Sequence, residues 1–425
     1  MTDNLYNTYL DILKHELQPA LGCTEPIAIA YAAAKAREAL GVMPQSIAVS
    51  CSGNIIKNVK GVIVPNAGGL RGIEVAATLG VVGGDPTKKL EVLVDVTQED
   101  IQRTKQLVAA SYCTCSLADN APALFIRVAA CKGEDQATVT IENSHTNITS
   151  IVKNDELLYA SHRPTEETTV EEDLRGQLSV SSIIEFAEMV RIEDVQAVLE
   201  RQIAYNEAIA QEGLANNYGI GVGRTLLKRY DASDVRIRAR AKAAAGSDAR
   251  MSGCPMPVVI NSGSGNQGIT VSLPVIEYAK ELNASQEELF RALTVANLVA
   301  IHQKKYIGSL SAFCGAVCAA TGAASGISYL HGGRLEAISK TIIDTLANVG
   351  GIVCDGAKPS CAAKISSALD AAILGFEMGT GEGRAFNDGE GLVKHDVEAT
   401  IQSFGRVGKD GMRTTDQEIL HIMME

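Results

Sequence analysis

The sequence predicts an α+β protein: one large, mainly helical catalytic domain with a smaller α/β subdomain inserted near its start. Three observations lead there. Apolar residues recur at helical spacing over much of 180–377, in blocks separated by glycine-rich breaks. Short β-branched runs cluster instead between residues 45 and 155. The 425 residues are 46% hydrophobic and 21% charged, enough to bury a sizeable core and too apolar for a disordered chain.

In chain order, residues 3–18 and 24–40 carry helical spacing, separated by Pro19 and a turn at Gly22, Cys23 and Thr24. Pro26 suits the first turn of the second helix, where its missing N–H costs nothing. Residues 46–50, 90–96, 123–130, 137–142 and 146–152 read as strands, with helical patterns at 72–82 and 98–112 between some of them. Residues 45–155 therefore read as the α/β subdomain, and the polar stretch 156–174 as a connecting segment. Residues 1–44 and 175–425 read as the helical domain, with helices at 180–190, 194–216, 233–250, 271–282, 286–303, 306–330, 334–349 and 361–377. No repeat of solenoid period interrupts this order.

With no Trp, 4% aromatics and 39 Gly, the interior must be small and aliphatic, which lets backbones approach closely. The charge balance, 38 − 50 = −12, argues against nucleic acid or an anionic membrane as partner. The opening MTDNLYNTYLDILKHEL has neither a basic nor an apolar leader region and reads as an amphipathic helix, so a cytoplasmic location is expected. Residues 306–330 are uncharged but dominated by Ala, Gly and Ser, which suits a tightly packed internal helix better than a membrane span. Ten Cys in such a chain are expected to be mostly buried thiols rather than a disulfide framework.

A subset of those thiols can carry chemistry. Cys354 and Cys361 flank a short loop, and a helical pattern begins at Cys361, with Ser360 as the expected cap. The helix dipole, Lys358 and Lys364 all favour negative charge there. Cys314 lies 40 residues before Cys354, and Cys354 lies 7 before Cys361. Three thiolates converging from a helix and a loop suit an iron–sulfur cluster with one open iron, or zinc with a fourth ligand; the plain alternative is buried cysteines around a turn. Cys318, one turn after Cys314, reads as core. Cys23 stands just before a helix, where a thiol pKa is expected to fall, with Glu25 close behind.

The loop from Asn261 to Gly268 offers amide donors, Ser264 and Asn266 to an amino acid carboxylate. It contains G-x-G-x-x-G, but Pro274 in the following helical stretch weakens a dinucleotide reading. It also resembles the substrate loop of pyridoxal-phosphate β-eliminating enzymes, for which Lys242 is the Schiff-base candidate. Ser52 and Asn54, either side of Gly53, form a second short copy of the same chemistry or a plain glycine turn. His145, between two strands, is either a carboxylate ligand and proton carrier or an exposed loop histidine.

Six segments together, LGCTEPIAIA, CSGNIIKNVKGVIVPNAGG, ENSHTNI, NSGSGNQGITVSLPV, AFCGAVCAATGAASG and CDGAKPSCAAKI, resemble the iron–sulfur L-serine dehydratase α-chain superfamily. Within it the resemblance is nearest to L-cysteine desulfidase and its bacterial relatives. It implies Cys314, Cys354 and Cys361 as ligands of a 4Fe–4S cluster and Cys23 as a fourth, catalytic or exchangeable thiol. It implies that Ser144, His145 and Thr146 help to hold the substrate carboxylate. The chain ends His-Ile-Met-Met-Glu and lacks the tail cysteine that plugs the cluster in some dehydratases, so Cys23 or solvent is expected at the open iron. The implied reaction is β-elimination of L-cysteine to sulfide, ammonia and pyruvate, with the open iron as Lewis acid and Cys23, then His145, as candidate base. L-Serine in the same pose gives a dehydratase. A pyridoxal-phosphate enzyme and a non-catalytic metal- or amino-acid-binding protein are the competing readings. The expected partner is a small amino acid, and a homo-oligomer is compatible with all of these.

Overall fold

The computed structural model describes residues 1–161, 174–308, 310–380 and 386–425. Its strands are β1 (Pro19–Leu21), β2 (Ser46–Cys51), β3 (Cys113–Leu117), β4 (Phe125–Lys132), β5 (Asp135–Glu142), β6 (Ile148–Lys153), β7 (Glu156–Ala160) and β8 (Pro257–Val259). Six of them form a mixed sheet in the order β3-β2-β4-β5-β6-β7, parallel between β2 and β3 and antiparallel elsewhere. Alternation sets its buried face: Ile47, Val49 and Cys51 of β2 point inward with Ile126, Val128 and Ala130 of β4. The helix Thr24–Leu40 lies across β4 and β5 and packs on the helix Ile73–Gly83. The rest of the chain is mainly helical, so the fold is α+β as expected.

Two expectations about strands fail. Residues 90–96 are not a strand: the helical turn Pro86–Glu91 runs into them, Asp85 N–H bonds Val92 O, and the Asn66 amide donates to Leu93 O at 2.9 Å. Their backbone groups are satisfied locally, so they join no ladder. The stretch expected to connect the two parts starts as β7, the strand that pairs with β6 at the sheet's end, and its residues 162–173 lie outside the described residues.

The helical part is layered around the helix Gly315–Leu330, which is buried along nearly its whole length. The helices Gln286–Ile307, Gly265–Glu281, Cys361–Thr380 and Leu335–Val349 surround it. Its Ala-rich faces allow close approach, and two of its hydroxyls bond back to the helix itself: Thr321 Oγ1 donates to Val317 O and Ser325 Oγ to Thr321 O, both at 2.8 Å. The uncharged run expected over 306–330 is thus broken. The preceding helix ends at Ile307, and residues 310–314 turn back to pair with 352–354 before the new helix starts. No helix among the described residues is long and apolar enough to cross a membrane.

The loop at 261–264 is not followed by a late helix at 271. Ser264 caps a helix that begins at Gly265 and continues through Pro274, whose surroundings are fully buried. Burial of this helix outweighs the hydrogen bond that the proline removes. The short pair β1–β8, with Pro19 opposite Val259, joins the two halves of the chain. In this antiparallel register the chain beyond Leu21, which leads to Cys23, runs along the segment before β8, and the loop after β8 begins beside Gln18, whose carbonyl accepts from Ile260 N–H at 2.9 Å.

Candidate functional site

A cavity of about 1000 Å³ opens where these elements meet. Cys23, Ser144, His145, Thr146, Ser264, Asn266, Cys314, Cys354 and Cys361 all line it, so nine of the eleven residues singled out in the sequence share one space. Ser52 and Asn54 do not. Ser52 Oγ donates to Ala123 O at 2.8 Å, a structural bond, and Ser52 stands at the start of the short helix Gly53–Val59. The same short helix, Gly53–Val59, instead sends Lys57 and Asn58 to the cavity.

The three candidate metal ligands arrive from two directions. Cys314 N–H donates to Ile352 O at 2.9 Å and Cys354 N–H to Ala312 O at 2.7 Å, an antiparallel bridge that holds the two residues together. Their thiols are near enough to shift each other's acidity. Cys361 starts the helix Cys361–Thr380, one loop further on, close enough for its charge to act on both. The hydrogen bond from Cys314 pulls the Cys354 thiol down to about 6; burial opposes this, while Lys57, the Gly356 amide and Lys364 support it. The Cys314 thiol moves well up, through its interaction with Cys354 and through burial. Burial also raises Cys361 and takes Cys318 to about 11, as expected of a core thiol.

Cations surround this group. Lys304 is buried beside Cys318, Cys354 and Cys314, and burial pulls its ammonium pKa down. Lys57 pairs with Asp416 of the C-terminal helix Arg413–Met424. The other Asp416 oxygen accepts from Ala312 N at 3.0 Å, so one carboxylate fixes both a cavity lysine and the segment leading to Cys314. Lys364 and Lys358 are tied to Asp355 within the loop itself. Ser360 Oγ, the expected cap, makes no hydrogen bond; the first turn relies on Lys358 O, which accepts from Cys361 N–H at 2.9 Å.

The donor set fits an iron–sulfur cluster. Three thiols face one cavity, one of them already acidic, with Cys314 and Cys361 at helix N-termini and fixed cations nearby. No three His, Cys, Asp or Glu side chains among the described residues form a ready cage for a single metal ion. The ligands of a cluster occupy separate corners, and that spacing does not apply to them.

Opposite the thiols lies a buried polar network. Cys23 caps the helix Thr24–Leu40, but its thiol is not lowered. Burial and the neighbouring Glu25 carboxylate push it well up, which corrects the expectation from its helix position. Cys23 Sγ donates to Glu25 Oε2 at 3.2 Å, with Thr24 Oγ1 at 3.1 Å, and Asn58 donates to Glu25 Oε1 at 3.0 Å. Burial alone would raise Glu25; the charge of His145, the Cys23 donor, its own backbone amide and Arg250 outweigh that and hold it below the usual range. His145 is buried rather than exposed, burial lowers its pKa, and its Nε2 has no partner. Gly263, at φ +74°, brings the loop so close that a Cβ there would stand 3.3 Å from the His145 ring.

Glu25, Arg250, Asn58, Lys57, Gln267, Lys304 and Asp416 are the residues that sequence reasoning missed as part of this site. Glu25 left a signal in its closeness to Cys23, Gln267 in the loop 261–268, and Lys57 and Asn58 in the segment after Ser52, whereas Arg250, Lys304 and Asp416 left none. Lys242 is engaged elsewhere: it pairs with Glu277, stands 3.9 Å from Glu207, and does not line the cavity. The Schiff-base reading therefore loses its lysine.

The serine dehydratase alpha chain family matches residues 87–421. A UPF0597 protein of Lachnoclostridium phytofermentans is 53% identical over 421 residues, 99% of this chain and 100% of its own length. A UPF0597 protein of Desulfitobacterium hafniense is 52% identical, covering 99% and 97%, and one of Treponema denticola 45% identical, covering 99% and 98%. The family match supports dehydratase-like lyase chemistry, of a kind generally associated with iron–sulfur centres. By its sequence the chain belongs to the serine dehydratase alpha chain family.

Proposed function

We propose that the protein catalyses β-elimination on a small L-amino acid, with L-cysteine as substrate, giving sulfide, ammonia and pyruvate. Cys314, Cys354 and Cys361 would hold a 4Fe–4S cluster. When bound, such a cluster supplies one iron without a protein ligand, a soft Lewis acid for the leaving sulfur. The observation that carries the reading is the convergence of these three thiols on the cavity that also holds the Cys23–Glu25 pair and His145.

The chain's own residues account for the proton steps. Cys23 is a protonated thiol at rest, so it accepts the Cα proton only after passing its own to Glu25, 3.2 Å away. His145, whose pKa burial lowers and whose Nε2 has no partner, is the second candidate for the same proton. Ser144, Thr146, Ser264 and Asn266 line the space around the amino acid, and Asn266 Oδ1 and Gln267 Oε1 are buried acceptors without partners, suited to an ammonium or hydroxyl donor. The aminoacrylate product needs no further catalysis: water adds to its imine form and releases ammonia and pyruvate.

L-Serine differs only in its leaving group, and the same residues would serve a dehydratase. The test is a side-by-side assay of sulfide and pyruvate from L-cysteine and L-serine on anaerobically reconstituted protein. Pyruvate and sulfide from L-cysteine in equal amounts support the reading. Pyruvate from L-serine alone replaces it with the dehydratase, and no product from either overturns the elimination.

A further inference from the structure

Arg250 closes the helix Val235–Met251 and is 2% exposed. Its guanidinium lines the cavity yet makes no hydrogen bond and no ion pair among the described residues, and its Nε is buried without a partner. Glu25 is near enough to feel this charge but forms no salt bridge with it. A buried cation without a counter-ion is costly, and proteins rarely keep one unless something answers it. Of the other buried cations here, Lys57 pairs with Asp416, and Lys304, which also forms no hydrogen bond or ion pair among the described residues, lies near enough to Cys318, Cys354, Cys314 and Asp416 for their charge to favour its own.

The surroundings select the missing partner. Arg250 Nε lies against the first turn of the helix Gly265–Glu281, so closely that any Cβ at position 265 would strike it. The guanidinium thus stands beside a helix N-terminus, and both features favour a planar anion. We propose that Arg250 is the anchor for the substrate's α-carboxylate, and that it restricts this site to small acids with a free carboxylate. This deepens the proposed function and rests on its amino acid substrate. Ser264 and Asn266, expected from the sequence to hold the carboxylate, then frame it, while Arg250 supplies the charge.

The test is calorimetry on the full chain, with and without reconstituted cluster, using L-alanine, which has no leaving group, and L-alaninamide, which has no carboxylate. The wild-type protein is expected to bind L-alanine at least about 10-fold more tightly than the amide. Arg250→Met is expected to lose roughly 10- to 100-fold in L-alanine affinity and none for the amide, Arg250→Lys to lose less, and both to keep their iron. In the ligand-free state Arg250→Met should unfold at a higher temperature than wild type, because it removes an unanswered buried charge; a purely structural arginine would give the opposite. Undiminished L-alanine binding by Arg250→Met, or loss of its iron with binding retained, overturns the anchor and leaves the amino acid reading standing. Failure of the wild type to bind either ligand overturns both.

Discussion

Cys354 N–H donates to Ala312 O at 2.7 Å while Cys314 N–H donates to Ile352 O at 2.9 Å, so two cysteines far apart in the chain are held by reciprocal main-chain bonds. These bonds hold the two residues side by side and bring their thiols near one another. Each such bond contributes only about 1 kcal/mol net, but leaving it unmade in a buried segment would cost more.

The first consequence is acidity. In metal-free protein Cys354 should alkylate with iodoacetamide at half-maximal rate near about pH 6, where ordinary thiols are unreactive. Cys314→Ala removes the largest cause and should move that midpoint upward. Peptide mapping at several pH values reads it, and a midpoint above about 8.5, the free-thiol value, would refute the thiol pair.

Cluster binding follows from the same residues. Cys354→Ala and Cys361→Ala should each abolish the brown colour after anaerobic reconstitution and reduce sulfide production to background, whereas Cys318→Ala should retain both. Iron and acid-labile sulfide per chain give the answer directly. Full sulfide production by Cys354→Ala would end the cluster mechanism.

Asp416 ties the C-terminal helix to the site through Lys57 and Ala312. Asp416→Asn strands a lysine whose side chain is almost fully buried, and should cost roughly 3 kcal/mol. Thermal or denaturant unfolding measures it. Because the same carboxylate steadies the segment before Cys314, the variant should also lose iron faster to a chelator. Wild-type stability together with wild-type iron release would count against this coupling.

Acid sensitivity has a definite sign. Burial lowers His302 below its ordinary 6.5, even though Glu398 accepts at 2.7 Å and works against the shift. The unfolded chain therefore binds the proton first, and the stability contributed is complete above about pH 6.5 and lost as pH falls through the lower folded value. His302→Gln should flatten the fall in melting temperature between about pH 7 and 5. Identical slopes for the two proteins would be inconsistent with a buried neutral ring.

What was legible in the sequence was local. Periodicity gave the long helices from 180 onward and the strands at 46, 125, 137 and 148, because side-chain burial repeats at 3.6 or 2 residues whatever the fold. The cysteine, Ser-His-Thr and glycine-loop motifs marked nine residues that line one cavity, because reactive thiols and tight turns need particular residue types. Tertiary structure decided the rest. Residues 90–96 have strand-like composition but find their bonds in a turn with Asn66 and Asp85. Cys23 stands at a helix start, yet burial and Glu25 reverse the effect of the dipole. Arg250 and Asp416 sit in stretches with no motif at all, since the charge and hydrogen-bonding demands they meet come from residues brought near only by folding. Local rules depend on neighbours in sequence, whereas desolvation and Coulomb forces depend on neighbours in space.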